Sequence, residues 1–161
     1  MQNKITKILL CAYLCILLWV IVLKLGFSFS ELDRYRSLNL IPFYYDRETS
    51  FHAREVIQNV LAFVPVGVYL KMLGADIKRA VQVGFAVSFL FELQQFVFAC
   101  GASDITDIIT NTTGALLGAV LYAALGRIVR RPALQTVVNV LAGAATVLLL
   151  ALLAVLKLAN A

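Results

Sequence analysis

Carboxylates and side-chain amides recur where an apolar chain has little reason to carry them. In the stretch from Gly101 to Gly118, Asp104, Asp107, Asn111, Gly114 and Gly118 follow one another at spacings of three, four, three and four residues. On a helix turning ~100° per residue these positions form one narrow stripe, polar at its start and free of side chains further in. Upstream, Gly84, Ser88, Glu92, Gln95 and Ala99 also share a helical face. An ionisable residue within an apolar helix is costly unless paired or hydrated, so Glu92 is expected to face other helices.

Such groups suit two kinds of chemistry. Glu92, Asp104 and Asp107 could hold a hard divalent cation through oxygen ligands, and the cation would grip a lipid phosphate. Alternatively, Arg34 and Arg36 could bind the phosphate while the acids hydrogen-bond a sugar or peptide headgroup. No nucleophile motif, Gly-rich phosphate loop or His-based metal signature accompanies them. No catalytic residue, metal ligand or cofactor is therefore assigned, and the divalent cation stays an open alternative.

Each group also has a purely structural reading. Gly114-x-x-x-Gly118 is first of all a close-packing surface between helices. Asp104 can be the N-cap of the helix that follows it. Asp107 and Asn111, one and two turns further in, lie beyond the reach of capping. Glu92 could pair with Arg34 or Arg36 and hold a loop on the bundle. His52, alone in a polar segment, reads as a surface residue.

The elements that position these residues are membrane spans. Of 161 residues 61% are hydrophobic and 14% charged, with a mean hydropathy of +0.89. A chain this apolar belongs in lipid, which accepts apolar side chains facing outward. The net charge of +5 then reports orientation and headgroup contact; motifs for nucleic-acid binding are missing. Cys11, Cys15 and Cys100 lie in or beside apolar runs and read as small apolar fillers.

Five apolar runs give an all-α polytopic bundle. The first runs from Ile5 to about Phe27, long enough to span a bilayer and without a cleavage site, with Trp19 and Lys24 as anchors at its far end. A polar, aromatic segment from Ser28 to Glu55 is expected to rest on the membrane surface, and Pro42 argues against one continuous helix there. The second run, Val56 to about Leu73, carries Asn59 near its start and Pro65-Val66-Gly67 in its middle. The proline should bend this span and place it inside the bundle. The third run spans Ala80 to about Cys100, and the fourth continues from the acidic stretch to Gly126. The fifth, from about Leu134 to Leu158, has Asn139 as its one notable polar side chain before Lys157 and reads as peripheral.

Lys4, Lys7, Lys71, Lys78, Arg79, Arg127, Arg130 and Arg131 all fall at one end of such a bundle. The positive-inside rule makes that end cytoplasmic, with the N-terminus inside and the C-terminus outside. Glu55, Asn59, Glu92, Gln95, Asp104, Asp107 and Asn111 then converge at the external leaflet, beneath a loop carrying Arg36 and Asn39. The expectation is one outer-leaflet polar pocket, with Pro65, Gly67, Gly114 and Gly118 packing the helices behind it.

Four blocks carry a resemblance. Arg36-x-x-Asn39-Leu40-x-Pro42-Phe43, Asn59-x-x-x-Phe63-x-Pro65-x-Gly67, Ser88-x-x-x-Glu92-x-x-Gln95, and Asp104-x-x-Asp107-x-x-x-Asn111-x-x-Gly114-x-x-x-Gly118 resemble, in order and spacing, the VanZ-like family. The resemblance divides the chain into a first transmembrane helix (1–27), a VanZ-like core of external loop and three spans (28–126), and a basic loop with a C-terminal span (127–161). Many relatives carry a basic residue just before the last block, where this chain has Gly101-Ala102-Ser103, so Arg34 or Arg36 would have to supply any such contact. The resemblance implies a multi-pass protein of the bacterial cytoplasmic membrane linked to reduced susceptibility to lipoglycopeptides such as teicoplanin. The partners it suggests are membrane lipids, a lipid-linked cell-wall precursor or the lipoglycopeptide itself, and a chain this small could also form a homo-oligomer. A binding protein is the leading expectation, followed by a metal-dependent enzyme acting on a lipid-linked sugar or phosphate, and then by a small transporter, which the lack of inverted repeats disfavours.

Overall fold

A computed structural model describes residues 2–21, 35–44 and 49–159. Lys24, Arg34, Arg47 and the end of the first apolar run lie outside the described residues. The order of elements is α1 (Gln2–Ile21), β1 (Tyr35–Asn39), α2 (Thr49–Met72), α3 (Ile77–Phe98), β2 (Cys100–Asp104), α4 (Ile105–Ile128) and α5 (Arg131–Ala159). Among the described residues all five helices are long and apolar enough to cross a membrane. The all-α bundle read from the apolar runs is the fold observed.

The bundle is built on the pairing of α2 with α4. Lipid supplies no hydrophobic drive between helices, so their backbones must come close enough for dispersion forces to hold them. Gly67 lies against the Ala115 carbonyl and Ala119, Gly114 against the Val60 carbonyl and Phe63, and Gly118 against the Val64 carbonyl and Val68. A side chain at any of the three would run into the facing backbone. The glycines of the acidic stretch are thus a packing surface, as are Gly67 and the turn of α2 that bears it.

α3 packs against both α4 and α2, and its Gly84 faces Ala115 of α4. Leu17, Phe63, Val66, Phe91 and Cys100 form one core cluster, in which the Phe63 and Phe91 rings meet edge to face at 6.3 Å. The helix α2 continues through Pro65. The proline ring removes the donor that Leu61 would otherwise meet, and the Tyr13 hydroxyl of α1 donates to the next carbonyl, Ala62 O, at 2.7 Å. The span is therefore inside the bundle, as its proline requires in lipid.

Three features depart from the apolar-run reading. First, α2 begins at Thr49 and takes in Arg54 and Glu55, which shortens the surface segment. Second, that segment contributes a strand. α3 stops where Ala99 adopts a left-handed conformation (φ 52°), and Cys100–Asp104 then runs parallel to Tyr35–Asn39, with Arg36 opposite Gly101 and Asn39 opposite Asp104. Five-residue strands without an alternating apolar pattern leave no periodic signal to read. Third, Asn139 does not face lipid: it is 8% exposed and bonds Thr6 of α1 at 3.0 Å. The rest of α5 is largely exposed, in keeping with a peripheral span.

Candidate functional site

The strand pair positions the polar residues. Asp104 ends β2 and caps α4, its Oδ1 accepting from the Thr106 amide at 2.7 Å. Asn39, opposite it in register, donates from Nδ2 to Asp104 Oδ2 at 2.9 Å and to the Tyr44 carbonyl at 3.2 Å. Its Oδ1 accepts from the Ile41 amide at 3.0 Å. The loop that follows closes on a turn from Ile41 to Tyr44, with Pro42 second and Phe43 third at φ 56°. Glycine is preferred in that third position. Here the strain is held by the Asn39 side chain and by the Phe43 amide donating to Thr106 Oγ1 at 3.0 Å.

Glu92 draws β2 back onto α3. Its Oε2 accepts from the Asp104 amide at 2.9 Å, and its carbonyl accepts from Ser103 Oγ at 2.7 Å. Glu92 is 4% exposed, facing inward as an acid in an apolar helix should. It does not pair with Arg36. That guanidinium instead lies over the Phe96 ring, 5.0 Å from its centre, and donates to the Phe96 and Val97 carbonyls at 2.9 and 3.2 Å. The last carbonyls of a helix lack intrahelical donors and carry negative partial charge, which a guanidinium satisfies.

The remaining polar residues form a separate seam among the helices. Asn59 of α2 donates to Asp107 Oδ1 at 2.6 Å. One turn deeper, Asn111 is 2% exposed and donates to Ser88 Oγ of α3 at 2.9 Å, while its Oδ1 accepts from none of the described residues. Gln95 reaches the Ile21 carbonyl at the end of α1, at 3.0 Å. Glu55 stands exposed on the first turns of α2, 3.6 Å from His52 Nδ1.

A cavity of about 660 Å³ lies between α3 and α4 beside the strand pair. Phe85, Phe89 and Leu93 of α3 and Ile108 and Ile109 of α4 line its length, and Glu92, Ser103 and Asp104 meet it with Leu38 at one end. The residues expected to share one polar pocket meet this cavity differently. Glu92 and Asp104 reach the cavity; Asn59, Asp107 and Asn111 do not line it and instead join α2, α3 and α4. Among the described residues no three His, Cys, Asp or Glu side chains come together as a metal-ligating group. The carboxylates face amide donors: Asp104 meets Asn39 and Thr106, Asp107 meets Asn59, and Glu92 meets the Asp104 backbone.

Reading polar side chains alone missed the apolar wall of this cavity. Phe85, Phe89, Leu93 and Phe96 recur at spacings of three to four, a stripe visible in the sequence beside Glu92. Thr106, buried beneath the loop, carries no such signal, because its role depends on a backbone amide from a distant turn.

Comparison with known proteins shows which family the sequence belongs to. Residues 10–129 match the family model described as VanZ/LLP1. Protein VanZ of Enterococcus faecium is 40% identical over 126 residues, covering 76% of this chain and 76% of that protein. No solved structure matches. The matched interval holds all four sequence blocks, the α2–α4 glycine contacts, the strand pair and the α3–α4 cavity. This is a multi-pass membrane protein, and the chain belongs to the VanZ/LLP1 family.

Proposed function

We infer that this protein is a binding protein of the cell envelope associated with resistance to teicoplanin-type lipoglycopeptides. Its α3–α4 cavity receives the acyl chain of an outer-leaflet amphiphile: an envelope lipid, a lipid-linked cell-wall precursor or the drug itself. One observation carries the reading: a cavity with apolar walls meets Glu92, Ser103 and Asp104 at its end, beside the strand pair. An amphiphile has the same distribution, with a chain that matches Phe85, Phe89 and Ile108 and a headgroup whose hydroxyl or amide donors match carboxylates. The family match supports the link to resistance, and the basic residues at the far end of the bundle support a cytoplasmic N-terminus with the cavity in the external leaflet.

The test is teicoplanin susceptibility in a susceptible bacterium expressing the protein, with membrane insertion checked for each variant. Wild type is expected to lower susceptibility. Leu93→Trp and Ile108→Trp, which fill the cavity without touching a polar group, are expected to restore it. If both variants protect as well as wild type, the cavity is not the working site.

A further inference from the structure

A second cleft lies between α2, α4 and α5, running from the level of Pro65 toward the basic end of the bundle. Its volume is about 310 Å³, and Val68 and Tyr69 of α2, Tyr122 and Leu125 of α4, and Leu141 and Ala142 of α5 line it. Apart from the two tyrosines the lining is apolar. α4 and α5 touch little along their length, so the cleft is a gap between spans that some apolar occupant must fill.

The end of this cleft is strongly basic. Arg130 and Arg131 form the turn from α4 into α5, five and six residues beyond Leu125. The Arg131 side chain folds back over Gly126, its Cγ and Nε 3.6 and 3.8 Å from where a Cβ would stand. It thereby points from the turn toward the helix face that carries Tyr122. Both arginines are exposed, and among the described residues no carboxylate pairs with them. Among the described residues Asp76 is the one acid at this end of the bundle, and it is engaged in capping α3 through the Arg79 amide at 2.6 Å.

We propose that this cleft is a binding site for an anionic glycerophospholipid of the basic-side leaflet, with an acyl chain between α4 and α5 and the phosphate on Arg130 and Arg131. Charge complementarity selects this occupant. Guanidinium groups bind phosphate in pairs of hydrogen bonds, and two of them stand at the turn beside this apolar slot. A second copy of this chain inserted the same way would bring the same arginines to the same depth and be repelled. The site lies at the other end of the molecule from the α3–α4 cavity and does not depend on how that cavity functions.

The test is native mass spectrometry of the full chain in detergent, titrated with phosphatidylglycerol or with phosphatidylcholine of identical acyl chains. Wild type is expected to retain phosphatidylglycerol in preference, and Arg130→Gln with Arg131→Gln to reduce that preference by about fivefold or more. Lys4→Gln with Lys7→Gln removes as much charge from α1 at the same end and is expected to leave the preference unchanged. Ala142→Phe fills the cleft, keeps every charge and is expected to lose bound phosphatidylglycerol; this chain carries the test alone should the arginine variant fail to fold. Equal retention of the two lipids, equal loss from the α1 lysine variant, or undiminished binding by Ala142→Phe would each overturn the proposal. The first outcome would mean that the cleft does not select the headgroup charge, the second a general attraction of anionic lipid to positive charge, and the third a headgroup contact without a cleft.

Discussion

Asn39 shows how one side chain can hold an irregular segment at a membrane surface. It accepts from the Ile41 amide, donates to Tyr44 and Asp104, and so joins β1, the strained turn at Phe43 and the cap of α4. Asn39→Ala removes all three bonds. The expected loss is about 1–3 kcal/mol, the cost of leaving a partly buried polar group unpaired, read as a lower unfolding temperature and faster protease cleavage near Tyr44. The Ser88–Asn111 pair makes the complementary case. Ser88→Ala leaves Asn111 buried with neither amide atom satisfied, whereas Ser88→Ala with Asn111→Leu removes both partners. Thermal unfolding should place the double variant above Ser88→Ala alone, because a missing pair costs less than a broken one. Should the double variant be the less stable, Asn111 has a further partner that the described residues do not include.

Between elements, glycines act in opposite ways according to what they face. Gly118 lies against the Val64 carbonyl and the Val68 amide, so Gly118→Leu must separate α4 from α2. The expected outcome is loss of the folded bundle, read as lost protein after detergent extraction. Gly143, in α5, has nothing within 4 Å of where a Cβ would stand. Gly143→Ala should be neutral or stabilising by up to about 1 kcal/mol, the difference in helix propensity between the two residues, measured by thermal unfolding. The α2–α4 contact also explains why Pro65 is tolerated. A proline costs a helix one hydrogen bond, but α2 is held on one side by glycine contacts and on the other by the Tyr13 hydroxyl.

At the scale of the whole molecule, the two ends of the bundle differ in chemistry. One carries the basic turns; the other carries the strand pair, Asp104 and Glu92, and an exposed loop of Leu40, Ile41, Phe43 and Tyr44 suited to headgroup depth. The orientation expected from this asymmetry can be checked with single cysteines in a chain whose Cys11, Cys15 and Cys100 are replaced by alanine. Ala102 and Ala133 are both exposed and lie at opposite ends. Ala102→Cys should react with a membrane-impermeant thiol reagent in intact cells, and Ala133→Cys only after permeabilisation. The reverse pattern would put the α3–α4 cavity in the inner leaflet and remove the geographic basis of the proposed function.

The sequence by itself determined the class, the number of spans and the residues that matter to packing. Apolar composition and run length are local quantities, and the spacing of Gly114 and Gly118 or the inward-facing Glu92 follows from helical periodicity alone. The Asp104 cap was legible for the same reason. Only the tertiary structure decided what those residues touch. A parallel pair of five-residue strands depends on segments sixty-five residues apart meeting in register, and no local pattern encodes that meeting. It separates Glu92 and Asp104, which reach a cavity, from Asn59, Asp107 and Asn111, which bind helices together, although the sequence presents them all as one polar cluster. It also turns Arg36 away from Glu92 and onto the carbonyls that end α3. Polar groups in lipid must find partners, but which partners they find is settled by the distances at which the helices pack.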